Sequence, residues 1–97
     1  MSDNPPKSEL TVSKPATVER IAIEGIGKRD QVWVHVKHID GSLGTYFNYL
    51  DEGYTVVLRQ VDLLRDALTH RNLKAIFHYR DDQGLRRFHA VTVFHGE

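Results

Sequence analysis

The segment VLRQVDLLRDALTHR, Val57 to Arg71, decides the fold, because here the apolar period changes from that of a strand to that of a helix. Val57, Leu58, Val61, Leu64 and Leu68 recur at spacings of 1, 3, 3 and 4. That spacing predicts one apolar helical stripe. Arg59, Asp62, Arg65, Asp66 and His70 fall on the polar side. His70 and Arg71 complement the C-terminal end of the helix dipole, and Asn72 is a suitable terminating residue. The N-terminal boundary stays open, since Tyr54 to Leu58 is β-branched enough to form a short strand instead.

Three strand-like segments come before the helix. In the first, about Val18 to Ile26, Ile21 and Ile23 share a face opposite Arg20 and Glu24, and Gly25 and Gly27 permit a bend or bulge. The second, Gln31 to Ile39, alternates cleanly. Val32, Val34 and Val36 form its core face, and Gln31, Trp33, His35, Lys37 and Ile39 form the other. Asp40-Gly41 is a hairpin signal. The third segment, about Leu43 to Leu50, carries Tyr46, Phe47 and Tyr49 and ends at Asp51-Glu52-Gly53.

A hairpin follows the helix, joining about Leu73–Arg80 to Leu85–His95 through Asp81-Asp82-Gln83-Gly84. With Gly84 in the left-handed position of a bulged three-residue loop, Asp81 faces Leu85. Leu73, Ala75 and Phe77 then lie opposite Val93, Val91 and His89 on a core face. The reverse face carries Lys74, Ile76, His78, Phe88, Ala90, Thr92 and Phe94, too apolar for ordinary solvent-facing surface. The element order is β-β-β-α-β-β, which predicts an α+β domain. Its architecture is either an antiparallel sheet with one helix packed across it or a small closed barrel.

Residues 1–17 hold three prolines and little apolar content and read as a flexible tail, leaving residues 18–97 as a single globular domain. Leu10 and Val12 alternate, so a short edge strand is compatible with this stretch, and Pro15 limits its length. Thirteen Lys and Arg balance thirteen Asp and Glu, giving a net charge of zero. No global field therefore draws the chain to nucleic acid or to an anionic membrane, and any basic site is local. The absence of cysteine excludes disulfides, thiolate zinc sites and a Cys nucleophile. The N-terminus lacks the pattern of a secretory signal, and no stretch approaches the ~18 apolar residues of a membrane span. A cytoplasmic protein with no membrane partner is the expectation.

Six histidines invite a metal-site reading. His35 and His38 are three apart on a strand and point to opposite faces, and no carboxylate or second imidazole is set beside them by spacing. Neither a metal nor another cofactor is expected. Gly25-Ile26-Gly27-Lys28 lacks the spacing of a phosphate loop and is followed by Arg29 and a strand, so a turn or bulge is the simpler reading. No Ser-His-Asp context, strained nucleophile turn or paired carboxylates are visible, so no catalytic residue is assigned and enzyme activity is not expected.

The order of three strands (Val18–Leu50), a helix (about Val57–Arg71) and two strands (Leu73–His95) resembles that of the OB-fold, in which the helix bridges strands three and four. It also looks like the binding subunits of five-subunit bacterial toxins, which use that fold to build rings. The resemblance is topological and carries no binding residue over. A non-enzymatic binding or assembly module follows as the expected function, acting through a protein partner or self-association. Its expected interface is Ile76, His78, Phe88, Ala90 and Phe94. The alternative is single-stranded nucleic-acid or oligosaccharide binding on an aromatic face of Trp33, His35, Lys37, Tyr46 and Tyr49, where rings stack and cations meet phosphates. A small histidine-dependent enzyme is the second alternative.

Overall fold

The computed structural model describes residues 9–26, 29–50 and 54–96. The elements are β1 (Thr11–Val12), β2 (Ala16–Ile26), β3 (Arg29–His38), β4 (Leu43–Tyr49), α1 (Tyr54–Thr69), β5 (Leu73–Asp82) and β6 (Leu85–His95). β2, β3 and β4 form an antiparallel meander. β6 runs parallel to β4 and antiparallel to β5, and β5 meets β2. Strands β2 to β6 therefore close on themselves, and α1 lies between β4 and β5 in the chain. This α+β barrel matches the OB-like order at the level of topology.

The seam between β2 and β5 is thin, a single Ala16–Ala75 pairing. β1 extends it, with Thr11 opposite Tyr79 and Val12 opposite His78. Between β1 and β2 the Ser13 N–H donates to the Phe77 carbonyl, and Ser13 Oγ accepts from the Phe77 N–H, both at 2.8 Å. A side-chain oxygen thus supplies an acceptor where the chain leaves the ladder ahead of Pro15. The part of the expected tail from Thr11 onward is consequently barrel wall, and β2 begins at Ala16 rather than Val18. The first eight residues, Gly27 and Lys28, for which a turn or bulge is the expectation, Asp51 to Gly53 and Glu97 lie outside the described residues.

Two bulges give the barrel its curvature. Glu19 is the extra residue of β2 between the Val18–Val36 and Arg20–His35 pairs. His89 is the extra residue of β6 between the His78–Ala90 and Tyr79–Phe88 pairs. Gly25, a candidate for such a bend, pairs regularly with Asp30.

The core takes Val32, Val34 and Val36 from β3 as their alternation requires. It adds Val18, Tyr46, Ala75, Phe77 and Phe88 from the other strands and Val57, Leu64 and Ala67 from α1, with Val61 and Leu68 packed against them. Tyr54 to Leu58 resolves as the first turn of the helix, but Leu58 points away from the core and is exposed. Gln60 is buried in its place and donates through Nε2 to the His89 carbonyl at 3.0 Å. The helix is thereby fastened to the bulge. Among the described residues, no helix is long and apolar enough to cross a membrane.

The last hairpin turns on two residues, Gln83 (φ 56°) and Gly84 (φ 82°), with Asp82 opposite Leu85. Positive φ at both central positions is the type I′ geometry that suits strand twist, and it replaces the expected three-residue loop. The turn shifts the register by one residue and the His89 bulge by one more, so Phe77 faces Val91 and Ala75 faces Val93, two residues from the expected partners. The core face of Leu73, Ala75 and Phe77 is kept. Phe88, between the turn and the bulge, faces Tyr79 and so is not on the reverse face: it points inward, where it is fully buried and meets Phe77 edge-on at 5.8 Å.

Candidate functional site

Strand alternation places Trp33, His35 and Lys37 of β3 on the outer wall with Thr45, Phe47 and Tyr49 of β4. Trp33 and Phe47 are register partners, and their rings stack at 5.2 Å with planes 23° apart. Tyr49 meets Phe47 edge-on at 5.4 Å. Trp33 Nε1 donates to Gln31 Oε1 at 3.1 Å, which fixes the indole plane. Phe47 is buried beneath this group, whereas Trp33 and Tyr49 remain half-exposed.

Cations surround these rings. The Arg29 guanidinium sits 3.6 Å from the Tyr49 ring centroid and that of Arg87 sits 5.0 Å from it. Both are within cation–π range. Arg87 is 8 % exposed, donates through Nε to Asn48 Oδ1 at 2.9 Å and pairs with Asp82 at 3.6 Å. At the other end of the face, His35 Nε2 lies 3.1 Å from Arg20 Nη2, and His35 Nδ1 lies 3.2 Å from Thr45 Oγ1. A guanidinium can only donate, so Nε2 accepts and the proton of a neutral His35 sits on Nδ1. Lys37 is exposed beyond it. The result is an aromatic strip with guanidinium groups along it.

Of the five residues expected on this face, Trp33, His35, Lys37 and Tyr49 are there and Tyr46 is not. Tyr46 is three positions from Tyr49, hence on the opposite side of β4. It is 1 % exposed and stacks on Phe77 at 4.2 Å. Phe47, Arg29 and Arg87 complete the face instead, and strand parity counted from Trp33 is the sequence signal that finds Phe47. Burial pushes the Tyr46 hydroxyl above its ordinary pKa, an effect partly offset by hydrogen bonding and by the nearby Arg86.

Ile76, His78, Ala90 and Phe94 share the side of the last hairpin away from Phe77, all half-buried, without Phe88. His78 Nδ1 is buried among them with no hydrogen-bond partner. His35 and His38 point to opposite sides of β3, and among the described residues no three His, Asp or Glu side chains gather at metal-binding distances. Comparison with protein-family models and with curated proteins finds no match to this chain.

Proposed function

We propose that this chain is a non-enzymatic binding module and that its ligand is single-stranded nucleic acid, held on the outer wall of β3 and β4. The observation that carries this reading is the Trp33–Phe47 stack with Arg29 and Arg87 set over the adjoining Tyr49. Bases stack on such rings without regard to sequence, while the exposed cations of the same face, Arg20 and Lys37, meet the phosphates. In OB-like barrels the corresponding strand pair is the usual ligand surface, which supports the choice of face by analogy. Sugars also stack on aromatic rings, but they gain less from a row of cations. The zero net charge of the chain limits the affinity and makes the local cations decisive.

Titration of the lone tryptophan with oligothymidylate tests the reading. Saturable quenching at low salt that weakens steeply as salt rises is expected, and Tyr49→Ala lowers the affinity. Absence of quenching with micromolar protein at low salt rejects it. Quenching by an oligosaccharide that ignores salt reassigns the face to sugars.

A second reading, self-association through Ile76, His78, Ala90 and Phe94, is favoured by the unpaired buried His78 Nδ1 and by Val12, its register partner, which is 56 % exposed. Ile76→Asp then lowers the mass measured by sedimentation. A mass equal to one chain for the unaltered protein removes this reading.

A further inference from the structure

A separate cavity of about 250 Å³ opens where β3 turns into β4, lined by Val12, Ser13, Lys14, His38, Asp40, Ser42, Tyr46, Tyr79 and Arg86. Its polar groups divide into those already satisfied and those that are not. Asp40 is satisfied: one oxygen takes the Lys14 ammonium at 2.8 Å, and the other takes the Ser42 N–H at 3.0 Å and hydroxyl at 2.6 Å. His38 is satisfied as well. Its Nδ1 lies 3.1 Å from the Ser42 carbonyl, which can only accept, so Nδ1 carries the proton of the neutral ring. Nε2 then accepts from the Tyr46 hydroxyl at 2.9 Å. The Tyr46 proton is thereby committed.

Two donors are left over. Arg86 lies over the Tyr46 and Tyr79 rings, with centroids 5.7 and 5.3 Å away. Among the described residues its one hydrogen-bond contact is a long 3.5 Å approach to the Tyr46 oxygen, and it forms no ion pair there. The Tyr79 hydroxyl forms no hydrogen bond among the described residues. Lys14 and Arg86 supply two positive charges and Asp40 one negative, so these three groups leave one uncompensated positive charge in the lining.

We propose that this cavity binds a small monocarboxylate, with its carboxylate on the Arg86 fork and the Tyr79 hydroxyl and its apolar body against Val12 and the tyrosine rings. A planar guanidinium matches a carboxylate with two parallel hydrogen bonds. A phosphate dianion is a poorer fit. It brings more charge than the lining offsets, and the backbone donors at the turn are spent, Gly41 N–H on the His38 carbonyl and Ser42 N–H on Asp40. The site is distinct from the outer aromatic wall, so neither proposal depends on the other.

The experiment is an NMR titration of the isotope-labelled full chain with benzoate, benzamide and inorganic phosphate in turn. Benzoate is expected to give saturable shifts at Ser13, Ser42 and Arg86, whereas benzamide, its neutral counterpart, gives none. Arg86→Gln weakens benzoate about tenfold or more. Tyr79→Phe weakens it several-fold, which keeps the test decisive should the arginine variant fold poorly. Lack of saturation at roughly tens of millimolar benzoate overturns the site. Shifts confined to Trp33 and Tyr49 overturn its location, and tighter binding of phosphate with the same shifts overturns the carboxylate assignment.

Discussion

Tyr46 and Arg86 are register partners across the parallel pairing of β4 and β6, and Phe47 and Arg87 are partners one residue further on. The pleat sends the first couple towards the core and the cavity, and it places the second couple beside the aromatic wall. The two arginines, adjacent in sequence, therefore have opposite energetic roles. Arg87 is nearly buried and bonded to Asn48 and Asp82, whereas Arg86 is exposed at the cavity rim. Arg87→Ala leaves Asn48 Oδ1 short of its charged donor and costs about 1.5–3 kcal/mol. Arg86→Ala stays within about 0.5 kcal/mol. Urea denaturation of both variants checks the contrast, and equal losses contradict it.

The Tyr46 hydroxyl donates to His38 Nε2 within a buried stack of rings. Tyr46→Phe keeps the ring packing and removes the proton that Nε2 accepts. The cost of a buried acceptor left unpaired is about 1–3 kcal/mol. Nitrogen chemical shifts of the His38 ring are expected to show Nδ1–H in the unaltered protein at neutral pH. An Nε2–H tautomer would reverse the donor order described for the cavity.

Phe88→Ala is expected to cost about 3–5 kcal/mol, because the ring is fully buried against Phe77. Phe88→Asp unfolds the chain rather than dissociating a complex, and a circular dichroism melt distinguishes the two. This residue marks where reading the sequence stops being sufficient. The valines of β3, the helix and the element order follow from local periodicity, and all three are observed. A bulge is different, since one extra residue reverses inside and outside for everything beyond it. Neither Glu19 nor His89 has a side chain that announces a bulge. The His89 carbonyl is satisfied from across the chain by Gln60, a partner that no local window contains. Tyr46 is legible by parity, since three positions from Tyr49 put it on the opposite side of β4, whereas closeness in sequence to other aromatics says nothing about the side a ring takes.

The Gln83–Gly84 turn gives a sharper test of that hairpin register. Both residues hold positive φ, and glutamine is the less suited of the two. Gln83→Asn is expected to stabilise by roughly 0.5 kcal/mol, because asparagine tolerates the left-handed region. Gly84→Ala costs roughly 1–2 kcal/mol, since its β-carbon meets no neighbouring atom and the penalty comes from the backbone alone. A three-residue loop with Gly84 alone left-handed would leave Gln83→Asn without benefit, so thermal melts of the two variants separate the geometries.

The Lys14–Asp40 pair ties the segment after β1 to the β3–β4 turn, and its response to pH follows from the direction of each shift. Hydrogen bonds from Lys14 and Ser42 hold the Asp40 carboxyl well below the usual carboxylate range, and Asp40 in turn raises Lys14. A lowered acid pKa contributes stability above the unfolded value and loses it as pH falls through the folded one. A raised lysine pKa contributes below the unfolded value and loses it as pH rises through the folded one. Both contributions are therefore in place across neutral pH. Asp40→Asn is expected to show a small deficit that is constant there and shrinks at the acid and alkaline extremes. Because both groups are solvent-exposed, added salt also shrinks the deficit. Denaturation midpoints of the two proteins across pH, at low and high salt, provide the check. A deficit that grows on acidification would mean that the carboxylate is not stabilised in the folded chain.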